Sequence, residues 1–222
     1  MSFYDRLMQE TTREREAFLA IPLVRHATQR GAPRSLYVEF LSQAYHHVKQ
    51  TFPLLALAAS RTTDERYQDA LVEYMAEERG HEKWILDDIR TMGGDVDRVR
   101  LGPPRPPCQI MVGYAYYAIE RVSPYAMLGS VHVLEGMSVL LADKLATALK
   151  AAFGVPADTG FSYLRTHGAL DASHVAFFRE LVDGFDDAAT QILIIEQSRL
   201  FYRLYGDIFR DLGADLGLQD AA

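Results

Sequence analysis

The residues best suited to chemistry in this chain are His167, Asp171 and His174, within Thr166-His167-Gly168-Ala169-Leu170-Asp171-Ala172-Ser173-His174. Taken as helix, at about 100° per residue, the three fall within roughly 60° of one another on one face. Imidazole, carboxylate and imidazole pointing the same way make half of a metal site. The spacing His-x3-Asp-x2-His is also compatible with a solvated polar face. The choice between the two depends on whether other helices supply complementary ligands.

Two segments do. Ala76-Glu77-Glu78-Arg79-Gly80-His81-Glu82-Lys83-Trp84 pairs Glu77 with His81 at i, i+4 and Glu78 with His81 at i, i+3. Either pair can converge on one ion, and periodicity alone does not choose between Glu77 and Glu78. Tyr74 and Trp84 share the stripe, so this face points inward. The zinc-protease pattern His-Glu-x-x-His is absent, because position 85 is Ile. Farther along, the chain is nearly all apolar from Met127 to Ala146, with the acid Glu135 in its middle. A helix apolar all round is buried, and an unpaired buried carboxylate costs several kcal/mol (about 3 to 5). Glu135 therefore needs an Arg, a second acid sharing a proton, or a metal. His132, one turn earlier, could be its hydrogen-bond partner.

Glu77, His81, Glu135, His167, Asp171 and His174 together are three imidazoles and three carboxylates. Without thiolates, this set suits Fe or Mn better than a structural zinc. Six ligands exceed what one ion needs if it keeps open positions, and two ions sharing carboxylate bridges would use them all. Three acids in a dry core would repel one another unless cations neutralise them. Tyr45, His47 and Tyr74 are candidates for a substrate pocket, although a hydrogen-bonded core histidine is the ordinary reading of His47.

The elements that must position these residues are helical throughout. Ser2 caps a first helix toward Ala20, and a short piece holding Val24 and His26 ends at Gly31-Ala32-Pro33. One amphipathic helix is expected over 34–61, kinked at Pro53. Another, capped by Thr63 or Asp64, is expected to run unbroken to Met92. The Pro-rich stretch 102–107 reads as a surface loop, with Cys108 just beyond it. A Tyr-rich helix spans 110–121, an apolar helix follows Ser123-Pro124, and the His167–His174 helix runs to Val182. Asp186 or Asp187 caps a last helix to about Leu212. No repeat and no sustained strand pattern is present. The fold class expected is all-α: a single-domain helical bundle of about seven helices over residues 1–222, with its core over about 10–212.

At 222 residues, with 49% apolar and 11% aromatic residues, the chain has ample material for a core. Its net charge of −7 and lack of basic blocks argue against nucleic acid as a partner. A single cysteine excludes an internal disulfide framework and a thiolate zinc cluster. Met1 to Glu10 carry charges of both signs and no apolar stretch, so no secretory leader is expected. No apolar run approaches 18 residues, so no membrane span is expected and a reducing cytoplasm fits.

The chain resembles the heme-oxygenase-like metal-dependent oxidases, non-heme di-iron enzymes of the TenA/PqqC superfamily. The resemblance rests on Glu77-Glu78-Arg79-Gly80-His81, on Glu135 in its apolar helix, and on His167-x3-Asp171-x2-His174. Tyr45-His46-His47-Val48-Lys49 and Phe52-Pro53 support it. It implies that Glu77, His81, Glu135, His167, Asp171 and His174 bind iron, with Glu78 as an alternative ligand or a hydrogen-bonding neighbour of the ligands. It implies Fe(II), two ions with Mn as a substitute, and O2 as cosubstrate. The activity implied is that of an O2-activating oxidoreductase on a small amino-acid-like or fatty-acid-like substrate; separately, a homodimer is the expectation for a bundle of this size. Heme-binding relatives use a proximal His near the N-terminus, a place His26 could fill. TenA-type thiaminases need a core Cys nucleophile. The alternatives are a metal-free TenA/PqqC-like helical enzyme or scaffold and an iron-binding sensor.

Overall fold

The computed structural model describes residues 1–155 and 159–218, and the side chains of residues 167–172 lie outside the described set. The described residues form twelve helical segments and no strand. More segments than the seven expected arise because local breaks divide the longer amphipathic runs.

Ser2 caps α1 (Phe3–Glu10), its hydroxyl accepting the Asp5 N–H at 3.2 Å. Thr11 separates α1 from α2 (Thr12–Leu19), and Pro22 opens α3 (Pro22–Arg30) at its first position. The helix expected over 34–61 is two: α4 (Arg34–Val48) and α5 (Thr51–Arg61). The chain breaks at Lys49-Gln50 rather than kinking at Pro53. Proline is tolerated in a first turn, where its missing N–H would have no intrahelical partner.

The run expected to be unbroken to Met92 is also two helices. Asp64 caps α6 (Glu65–Glu78), accepting the Tyr67 N–H at 3.1 Å. Arg79 is extended and Gly80 takes φ +96°, a left-handed conformation that favours glycine, before α7 (His81–Thr91) begins. After α8 (Val96–Leu101), α9 (Pro106–Arg121) starts inside the Pro-rich stretch. Cys108 is therefore a fully buried helical residue, not part of a surface loop. The long α10 (Ala126–Phe153) precedes α11 (Ser162–Asp183) and α12 (Ala188–Ala214), which Asp187 caps through the Thr190 N–H.

α10 is the axis of the packing, touching α3, α5, α9, α11 and α12. Length and composition alone would let it cross a bilayer, but 56% of its most apolar window is buried inside the protein. Its apolar surface is answered by helices, as in a core helix. One core cluster gathers Leu7, Phe18, Leu55, Leu71, Leu128 and Leu212. A second gathers Tyr37, Leu41, Ile85, Ile89, Leu149 and Phe161, and Ala32, Phe40 and Leu145 pack against both.

The start of α11 is held from outside. Its N-cap, Phe161, supplies no side-chain acceptor, and Asp88 of α7 does so instead. The Asp88 carboxylate, 2% exposed, accepts the Ser162 N–H at 3.0 Å, the Ser162 hydroxyl at 2.7 Å and the Tyr163 N–H at 2.8 Å. Burial pushes its carboxyl above the ordinary aspartate value, opposed by these donors. Two buried imidazoles do the opposite. His132 shares a 3.3 Å contact with the Thr11 hydroxyl, and burial, then the charge of Arg15, lowers it to about 4. His46 is also lowered to about 4, by burial and then by Lys49.

Asp88→Ala strands two backbone donors at a helix start, and should lower stability in urea unfolding by about 2 to 3 kcal/mol. For His132, the unfolded state takes up its proton near pH 6.5 and the folded state only near pH 4, so stability falls as pH drops through that window. The loss should approach about 3 kcal/mol. His132→Gln should shrink the acid-side loss without abolishing it, because His46 titrates in the same window.

Candidate functional site

The turn between α6 and α7 organises the site. Because the helix stops at Glu78 and restarts at His81, the side-chain geometry is set by the turn and not by helical spacing. Glu78 then lies beside His81, with its Oε2 3.4 Å from Nδ1. His81 stacks on Trp84 with ring centroids 4.2 Å apart. Both His81 and Glu78 are largely buried, with side chains 5% and 10% exposed.

α11 brings His174 onto the same spot. Its Nε2 lies 2.8 Å from Glu77 Oε2, and its Nδ1 lies 3.8 Å from Glu78 Oε1 and 3.8 Å from Glu135 Oε1. The Tyr74 ring meets the His174 ring edge-on at 6.2 Å and Phe177 at 5.1 Å, which confines the imidazole. Glu135, in the middle of α10, is 13% exposed. The structure thus assembles Glu77, Glu78, His81, Glu135 and His174 from four helices. The side chains of His167 and Asp171 lie outside the described residues. Among the described residues no three His, Cys, Asp or Glu side chains form a group arranged to hold an ion. Glu77, whose carboxylate lies at His174 Nε2, is 45% exposed, whereas Glu78 meets both imidazoles from inside.

A cavity of about 160 Å³ opens against this cluster. Tyr74, Glu78, Glu135 and His47 line it at polar points. Tyr45 does not: it packs in the second core cluster under the Lys49 ammonium, 4.8 Å from the ring centroid. Sequence reading missed the wall contributed by α10, namely Met127, Val131, Leu134, Ser138, Leu141 and Leu145. Their spacing of three and four residues is a single helical stripe, so a signal existed, masked by the apolarity of the whole helix. Tyr205 also lines the cavity, its ring edge-on to His47 at 5.9 Å.

The Tyr74 side chain is 1% exposed, and among the described residues its hydroxyl has no hydrogen-bond partner. Burial, then the carboxylates of Glu135, Glu77 and Glu78, hold its phenol well above the ordinary tyrosine value. It stays a neutral O–H donor.

Two other candidates fall away from the cavity. On α3 the lining residues are Leu23, Val24, Ala27 and Thr28, and His26 is not among them. Cys108 donates its S–H to the Gln43 carbonyl at 3.5 Å, does not line the cavity, and is pushed up to about 12 by burial.

The model of a family described as iron-containing redox enzyme matches residues 38–206. Among solved structures, a domain with a heme-oxygenase-like fold from Shewanella denitrificans superposes with a TM-score of 0.86 at 19% identity, over 98% of this chain and 94% of that one. A TenA homologue from Pseudomonas syringae gives 0.79 at 10% identity over 95% and 92%. Heme oxygenase-1 from Synechocystis, solved with heme, gives 0.75 at 12% identity over 97% and 94%. No curated protein sequence matches significantly. The fold is heme-oxygenase-like.

A buried thiol with so high a pKa is inert while the fold is intact. Cys108 should resist a disulfide reagent such as DTNB at pH 8 in native protein and react fully in urea. Rapid modification of the native chain would show that the α9 start opens readily.

Proposed function

This chain belongs to the family of iron-containing redox enzymes, and from that membership we propose that it is an iron-dependent, O2-activating oxidoreductase. It acts on a small organic substrate through a dinuclear non-heme iron site. The observation that carries this reading is the convergence of Glu77, Glu78, His81, Glu135 and His174, from four helices, on one edge of an apolar cavity. Oxygen and nitrogen donors without thiolate are the chemistry iron accepts. We assign Glu77, His81, Glu135, His167, Asp171 and His174 as ligands. Glu78 is an alternative ligand, or else the hydrogen-bond partner that orients both imidazoles.

Bound iron would supply the reduction of O2 and the oxidation of the substrate. The chain's own residues prepare the surroundings. Glu78 and Glu135 provide negative charge that favours cations over the empty site. The hydrocarbon wall of α10 keeps bulk water from the reacting end of the cavity. The edge contact of Tyr74, itself braced edge-on by Phe177, holds His174 in place, and the Trp84 stack holds His81.

A heme reading is less well supported, because His26 does not line the cavity. A thiaminase-like reading lacks a reactive cysteine, since Cys108 is buried outside the cavity walls. A metal-free scaffold leaves the convergence of acids and imidazoles without a purpose.

Anaerobic titration of metal-stripped protein with Fe(II) should reach about two ions per chain, quenching the fluorescence of Trp84 through its stack on His81. Glu135→Ala and His174→Ala should each weaken binding at least about ten-fold, as loss of a ligand does. O2 should then oxidise the bound Fe(II) faster in the parent protein than in either variant. Absence of iron binding in the parent protein would overturn the proposal.

A further inference from the structure

The cavity has a chemical asymmetry of its own. Its wall is largely hydrocarbon: Leu54, Leu134, Leu141, Leu145, Phe201 and Leu212 are among its lining residues. Its charged points are Glu78 and Glu135, and no lysine or arginine lines it among the described residues. Beside those acids lies the Tyr74 phenol, whose hydroxyl has no hydrogen-bond partner among the described residues. A buried hydroxyl without an acceptor is costly, roughly 1 to 3 kcal/mol. Its retention there is explained if an acceptor arrives with a ligand. An anionic head, by contrast, would meet the two carboxylates of the lining, where no described lysine or arginine stands to attract it.

We infer that the cavity binds a molecule with an apolar body and a neutral, hydrogen-bond-accepting oxygen. The Tyr74 hydroxyl donates to that oxygen. A carboxylate head is accepted only after cations have filled the acid cluster. The first two statements rest on the cavity wall and on Tyr74, and hold for the chain without metal. The third rests on the metal reading proposed above.

The same geometry excludes the matched alternatives. Body length being equal, a ketone gains the Tyr74 hydrogen bond without repulsion, a carboxylate gains it against two acids, and an alkene gains neither. Tyr74→Phe removes only a hydroxyl that bonds to no described residue, so the variant should fold with a midpoint equal to or above that of the parent.

Displacement of the neutral dye Nile red from the full-length chain tests this with 2-decanone, decanoate and 1-decene at pH 7.5. In metal-free protein the ketone should displace the dye at a concentration at least about ten-fold below that of decanoate. Tyr74→Phe should weaken the ketone about five-fold, the size of one neutral hydrogen bond, and leave 1-decene unchanged. Loading with Mn(II) should narrow the gap between ketone and decanoate. Equal displacement by decanoate and ketone in metal-free protein, equal weakening of ketone and alkene in Tyr74→Phe, or no displacement by any probe would overturn the inference. A gap unchanged with Mn(II) bound would overturn its statement on carboxylates. Failure of Mn(II) to bind would count against the metal site, and the metal-free results would still decide the ketone preference and the role of Tyr74.

Discussion

Glu78 and Glu135 keep their carboxylates nearly out of solvent, at the edge of a cavity walled mostly by hydrocarbon. Placing acids there is expensive, because each charge loses hydration and each feels the other through a medium of low dielectric. The structure meets this with imidazoles: His81 lies against Glu78, and His174 lies within 3.8 Å of both acids. Much of the remaining architecture serves to hold those four side chains together. They come from α6, α7, α10 and α11, so no single helix can form the cluster, and its stability is the stability of the bundle.

The supports can be followed outward. Trp84 covers His81, and Tyr74 with Phe177 confines His174. Asp88 then ties the beginning of α11 to α7, the helix that carries His81. One element therefore orients an imidazole directly and also anchors the helix bearing the other. α10 supplies Glu135 and the cavity wall together, so that the acid and the apolar surface against which it is set cannot move independently. Such coupling suits a site that must keep ligands in register while leaving room for a substrate.

The polar groups near the cavity differ in what they can do. Tyr74 is held neutral by burial and by three carboxylates, and so remains a donor. Cys108 is held neutral by burial in a place with no access to the cavity, and so is inert. The two groups have similar burial and opposite prospects, because Tyr74 belongs to the cavity lining and its hydroxyl bonds to no described residue, whereas the Cys108 thiol is outside that lining and bonds to the Gln43 carbonyl.

The amino-acid pattern by itself determined the all-α class, the cap at Ser2, and the inward face that carries Tyr74, and it narrowed the α6 cap to Thr63 or Asp64. It also singled out Glu135, since one acid in a long apolar run is anomalous on any fold. Periodicity carries that much because amphipathic order is written locally. It did not determine the break at Arg79-Gly80, where Gly80 adopts a left-handed conformation that helix spacing does not foresee. That break, and not an i, i+3 register, sets Glu78 beside His81. Nor could it place Tyr45 outside the cavity or Cys108 inside the core, because both depend on which helices meet. Only tertiary packing joins residues some hundred positions apart, such as Glu77 and His174, and there the choice of neighbour decides the chemistry.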